Sequence, residues 1–120
     1  MPKLENPGII ALFVTAFTEA QACGELIRWK QSAIENMFRD FAGYTPDHVE
    51  NLILSHLNSG GKIQEVKETR PEYLDFRFHY DFVVTDPLSK NEKVYIETVI
   101  TCDDPELPEI LIVSCHKDRK

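Results

Sequence analysis

The sequence predicts an α+β domain in which two amphipathic helices pack on one face of a four-stranded antiparallel sheet. Three observations lead to it. Apolar residues recur every three or four positions between Ser32 and Leu57, the period changes to two after Gly61, and turn-forming stretches separate the alternating segments. At 120 residues the chain is too short for two independent cores, yet long enough to bury one without metal or disulfide staples.

The apolar run at residues 8–17 falls short of the roughly 18 residues needed to span a membrane. It also fits the core of a secretory signal, with Ala20-Gln21-Ala22 as a small-x-small cleavage site, but Glu5 cancels Lys3 and Glu19 adjoins that site. A buried first helix or strand is the expectation. Residues 1–24 are an N-terminal extension of uncertain role, and residues 25–120 are the core domain.

Over residues 32–41, Ile34, Met37, Phe38 and Phe41 share one helical face, with Glu35, Arg39 and Asp40 outside it. Gly43 interrupts. Thr45-Pro46-Asp47 then supplies a capping hydroxyl, a proline at the first helical position and an acid near the positive helix end. The inner face of this second helix reads Val49, Leu52, Ile53, His56 and Leu57, and Asn58-Ser59-Gly60-Gly61 ends it with residues that tolerate a left-handed conformation.

A weak strand is expected over residues 62–70, and residues 25–30 can add a short one before the first helix. In residues 75–84, Phe76, Phe78, Tyr80, Phe82 and Val84 point one way, and Arg77, His79 and Asp81 the other. Residues 86–91 form a turn. Val94, Ile96, Thr98, Ile100 and Cys102 next alternate against Tyr95, Glu97, Val99 and Thr101. Residues 103–108 are a loop with two prolines, and residues 109–116 are apolar enough for a central strand.

Two helices cover only one side of such a sheet, so the other side carries the polar side chains. Arg77, His79 and Asp81 then face Tyr95 and Glu97, with His116 and Lys117 at the end of the last strand. Phosphodiester cleavage without metal needs a base for the 2′-hydroxyl, an acid for the leaving oxygen and a cation for the developing charge. His79 or Glu97 suits the first role, His116 or Tyr95 the second, and Arg77 or Lys117 the third. Alternating charge is equally what any solvated sheet face shows. A metal reading would use His79, Asp81, Glu97 and His116, but no local ligand spacing supports it, and no metal or cofactor is expected. His56 reads as a residue at the edge of the core and His48 as exposed, while Cys102 and Cys115 read as buried small hydrophobes. Nucleotide-binding and serine-hydrolase motifs are missing: Gly60-Gly61 ends a helix instead of opening one.

Residues 27–117 resemble a small family of uncharacterised bacterial α+β proteins related to the RelE-, BrnT- and MqsR-like toxins. The likeness rests on Arg28-Trp29-Lys30-Gln31-Ser32-Ala33, on Tyr44-Thr45-Pro46-Asp47 with Val49, on Ser59-Gly60-Gly61-Lys62-Ile63, on Val94-Tyr95-Ile96, and on the closing Ile112-Val113-Ser114-Cys115-His116-Lys117. It implies a RelE-like fold and a metal-independent ribonuclease, or an inactive relative, held by an antitoxin-like protein partner. It also implies that Tyr95 and Lys117 belong to the site. Gln31-Ser32 stands where that family often carries a histidine.

Charge weighs against RNA. Thirteen Lys and Arg face twenty Asp and Glu, a net −7, and residues 63–120 alone hold eight cations against thirteen acids. The alternative is a non-catalytic module that binds another protein through the sheet face or an exposed edge. Three dispersed cysteines suit a reducing cytoplasm.

Overall fold

In the computed structural model the described residues are 7–23, 26–73, 78–87, 90, 92–102 and 108–118. Among them are three α-helices, α1 (Pro7–Cys23), α2 (Gln31–Asp40) and α3 (Pro46–Asn58), and a single 3-10 turn at Pro71–Tyr73. Five strands complete the order: β1 (Ile27–Trp29), β2 (Gln64–Lys67), β3 (Phe78–Asp86), β4 (Glu92–Cys102) and β5 (Glu109–Lys117). No described helix is long and apolar enough to cross a membrane.

The sheet order is β1-β5-β4-β3-β2. Strands β2 to β5 form the expected antiparallel meander, but the sheet is mixed and five-stranded, because β1 pairs in parallel with β5. Ile27 lies opposite Ile110 and Trp29 opposite Ile112. Flanking bonds lock the pair: Ile110 N–H donates to the Leu26 carbonyl and Lys30 N–H to the Ile112 carbonyl, each at 2.9 Å. Three residues are too few to show a period, which is why β1 is so faint in the sequence.

The third helix is the other correction to the two-helix expectation. α1 starts on Pro7 and sends Phe13, Ala16 and Phe17, spaced i, i+3, i+4, into the core with no exposed surface. Phe13 meets Tyr80 and Phe82 edge-on, with ring centroids 5.5 and 6.1 Å apart.

α3 begins where the Thr45 hydroxyl accepts the His48 backbone N–H at 3.2 Å, and it buries Val49, Ile53 and Leu57. Gly60 ends it at φ +79°, and the Gly61 N–H donates to the His56 carbonyl at 2.8 Å. α2 is rotated from its expected face. Ala33, Met37 and Phe41 point inward, while Phe38 is 55% exposed. Among the described strands α2 packs chiefly against β5, so only a narrow stripe of it needs to be apolar.

Tyr80, Phe82, Val84, Val94, Ile96, Ile110, Ile112 and Cys115 form the sheet's side of one core beneath the three helices. Residue 115 breaks the alternation that starts at 110, and a bulge explains it. Glu97 pairs with Ser114 and Thr98 with Ile112, so Val113 is the extra residue. It joins Val99 and Leu111 on the far face, Cys115 returns to the core, and His116 falls opposite Tyr95. Cys102, in contrast, is exposed at the end of β4, against the expectation that it is buried.

Candidate functional site

The face of the sheet away from the helices carries His79, Asp81 and Val83 from β3, Tyr95, Glu97 and Val99 from β4, and Val113 and His116 from β5. Register brings the reactive ones together: Asp81 is opposite Glu97, and Tyr95 is opposite His116. The Tyr95 and His116 rings stack with centroids 5.0 Å apart. This face is not left bare. The segment that follows β2 reaches over it and sets Glu68 and Arg70 against His79 and Glu97.

Glu68 is the anchor of this cluster, with a fully buried side chain. Its Oε1 accepts Arg70 Nε at 2.8 Å and the Arg70 backbone N–H at 3.1 Å, and its Oε2 accepts Arg70 Nη2 at 2.9 Å and faces His79 Nδ1 at 3.0 Å. The Arg70 side-chain bonds lead the forces that hold this carboxyl down at about 2, against the cost of burial. Arg70 also ion-pairs with Glu97 through Nη1, and its own pKa is raised by these two carboxylates, Glu68 first.

On the other side of His79, Nε2 lies 3.5 Å from Asp81 Oδ2. Asp81 is only 7% exposed, and its Oδ1 is buried with no hydrogen-bond partner. Burial, with Glu97 adding to it, pushes the Asp81 carboxyl up, while His79, Tyr95 and Arg70 pull the other way. The Tyr95 hydroxyl sits 3.5 Å from Glu97 Oε1, and burial followed by the charges of Asp81 and Glu97 drives its pKa well above the ordinary phenol value. His79 Nε2 or Nδ1, Asp81 and Glu97 each offer a donor atom, all within 4.8 Å of one another.

Of the residues the sequence singles out, His79, Tyr95, Glu97 and His116 share this face. Arg77 lies outside the described residues. Lys117 is on the opposite face: it pairs with core residue Val94, its backbone N–H donates to Asp40 Oδ2 at 3.0 Å, and its ammonium reaches Glu92 at 3.6 Å. Tyr95 and Lys117 are therefore separated by the sheet. His116 bonds through Nδ1 to the Lys117 carbonyl at 2.8 Å.

A second recess lies between α3 and the end of β3. A cleft of about 580 Å³ is lined by His48, Ser55, His56, Thr85 and Asp86 among others, and a neighbouring one of about 320 Å³ by His56, Lys62, Gln64, Phe82, Val83 and Tyr95 among others. Asp86 ends β3 as a fully buried carboxylate that accepts the Tyr44 hydroxyl at 2.6 Å and meets His48 Nε2 at 2.8 Å. His48 is thus tied to the core's edge, not simply exposed as its place in the first helical turn suggests. His56 lies flat on Phe82, with centroids 5.8 Å apart, and its Nε2 meets the Lys62 carbonyl at 2.9 Å.

Glu68 and Arg70 fall within the weak strand expected over residues 62–70, but the observed β2 ends at Lys67 and leaves both on a connecting segment, while Asp86 stands where turn residues begin. The neighbouring Pro87 reads as a turn, which hides the buried role of Asp86. Compared with protein-family models, curated proteins and solved structures, the chain matches none.

Proposed function

We propose that the protein is a non-catalytic binding module that takes an extended segment of another protein along the outer edge of β3. One observation carries this reading. β2 pairs with β3 only from Phe78 to Asp81, and among the described residues no strand pairs with that edge from Phe82 to Asp86. An incoming strand finds main-chain donors and acceptors there, with recesses beside them for alternate side chains. The net charge of −7 suits a basic segment.

Peptides selected from a displayed random library at physiological salt test it. The reading expects basic, extended binders that slow amide exchange in residues 82–86. It also expects Ser55→Trp, which fills the larger cleft from an exposed α3 position, to weaken them tenfold or more without changing Tm. Binders that protect other segments, or a library that yields none, would contradict it.

A toxin-like ribonuclease of the cytoplasm, or an inactive relative of one with an antitoxin-like partner, is the second reading. The stacked Tyr95 and His116 favour it, since they join two of the expected catalytic groups. The matched charges around Arg70 oppose it, because that guanidinium already serves two carboxylates. Growth arrest on induced expression, lost in Tyr95→Phe with the fold retained, would establish the ribonuclease and displace the binding module.

A further inference from the structure

We propose that His79, Asp81 and Glu97 form a binding site for a divalent first-row transition metal, with zinc as the ion that fits the donor set. The site adjoins the peptide-binding edge, since Asp81 and Tyr95 also line the smaller recess there, but separate observations support it. The Glu68 carboxylate can only accept, so at 3.0 Å the facing Nδ1 of His79 carries the hydrogen. When the second ring proton is absent, Nε2 is a bare lone pair 3.5 Å from another acceptor, Asp81 Oδ2. Two acceptors do not hold each other. A cation between them does, and 3.5 Å is close to the roughly 3.4 Å separating two ligands of a tetrahedral ion with bonds of about 2.0–2.1 Å.

The unpartnered oxygen points the same way. Asp81 Oδ1 is a buried carboxylate oxygen with no donor, a costly arrangement unless something else satisfies it. Glu97 keeps Arg70 on Oε2, while its Oε1 has only the long 3.5 Å contact from Tyr95. One imidazole nitrogen and two carboxylates therefore converge, with donor atoms within 4.8 Å, so modest side-chain rotation closes the site.

Glu68 takes the place of the outer carboxylate that fixes tautomer and ring orientation in histidine-ligated sites, and Arg70 locks Glu68 in turn. The imidazole selects against magnesium and calcium, which take oxygen ligands. Tyr95 stands beside the two carboxylates, where its hydroxyl can meet a metal-bound water.

The test uses the full chain, stripped with a chelator that is then dialysed away, and Zn²⁺ alone as the probe. The proposal expects one equivalent to bind, raise Tm and move the His79 ring nitrogens in NMR spectra, with the rings of His48, His56 and His116 unmoved. Asp81→Asn and Glu97→Gln are each expected to weaken binding tenfold or more. The ring spectra of the unaltered chain keep the proposal testable if either variant fails to fold. No binding, binding that leaves the His79 ring unmoved, or undiminished affinity in a folded Asp81→Asn chain would overturn it.

Discussion

Gly61 shows how a single hydrogen atom can shape the recess beside α3. A Cβ there would lie 2.4 Å from Cε1 and Nδ1 of His56, whose ring is already held by Phe82 and the Lys62 carbonyl. Gly61→Ala is expected to displace that ring and cost about 1–3 kcal/mol in chemical denaturation. Gly60 next to it is needed for a different reason, its left-handed φ of +79°. The two cysteines of the sheet should also separate. Burial, helped by Asp40, lifts the Cys115 thiol to about 12, whereas Cys102 is exposed. Mass spectrometry after alkylation at pH 8 should find Cys102 modified and Cys115 intact until the protein unfolds. The thiol form of Cys115 is favoured by folding, so its contribution is complete below pH 9 and is lost as pH rises from 9 towards 12.

At the level of elements, α3, β3 and β4 were legible because each has a long period and a marked end, and β5 because it is an apolar run behind two prolines. Thr45, Pro46 and the Gly60-Gly61 pair bound α3 within a residue of where they should. Thr45→Ala, which removes the cap on the His48 N–H, should lower stability by about 1 kcal/mol. α1 was harder, since the apolar run also fits a signal core, and the expected buried element could be either a helix or a strand. Its place is decided by long-range packing: Phe13 has no exposed surface between Tyr80 and Phe82. Phe13→Ala is therefore expected to cost about 3–5 kcal/mol by urea titration, a loss that a detachable extension would not produce. The bulge at Val113 was invisible for the same reason, because an extra residue in one strand is defined only by its partner.

Across the whole molecule, the sheet has one apolar face under three helices and one face where charge is matched against charge. Sequence alternation placed His79, Tyr95 and Glu97 on one surface, as the register has them, while His116 was placed only near the end of the last strand. It could not show that Glu68 and Arg70 fold over that surface, nor that the bulge and register send Lys117 to the other side. With Arg70 held by two carboxylates, the described part of this face offers no unsatisfied guanidinium for phosphate, and the overall charge points the same way. The open stretch of β3, beside the two recesses, is the place proposed for a partner.

Amide hydrogen exchange on the free protein tests that opening most directly. The N–H groups of Phe82–Asp86 that point away from β4 should exchange at least tenfold faster than those of β4 residues Val94 to Val99, which lie between two strands. Equal protection of the two sets in the absence of any partner would mean that the edge is already closed, and the account of a strand-accepting surface would fail.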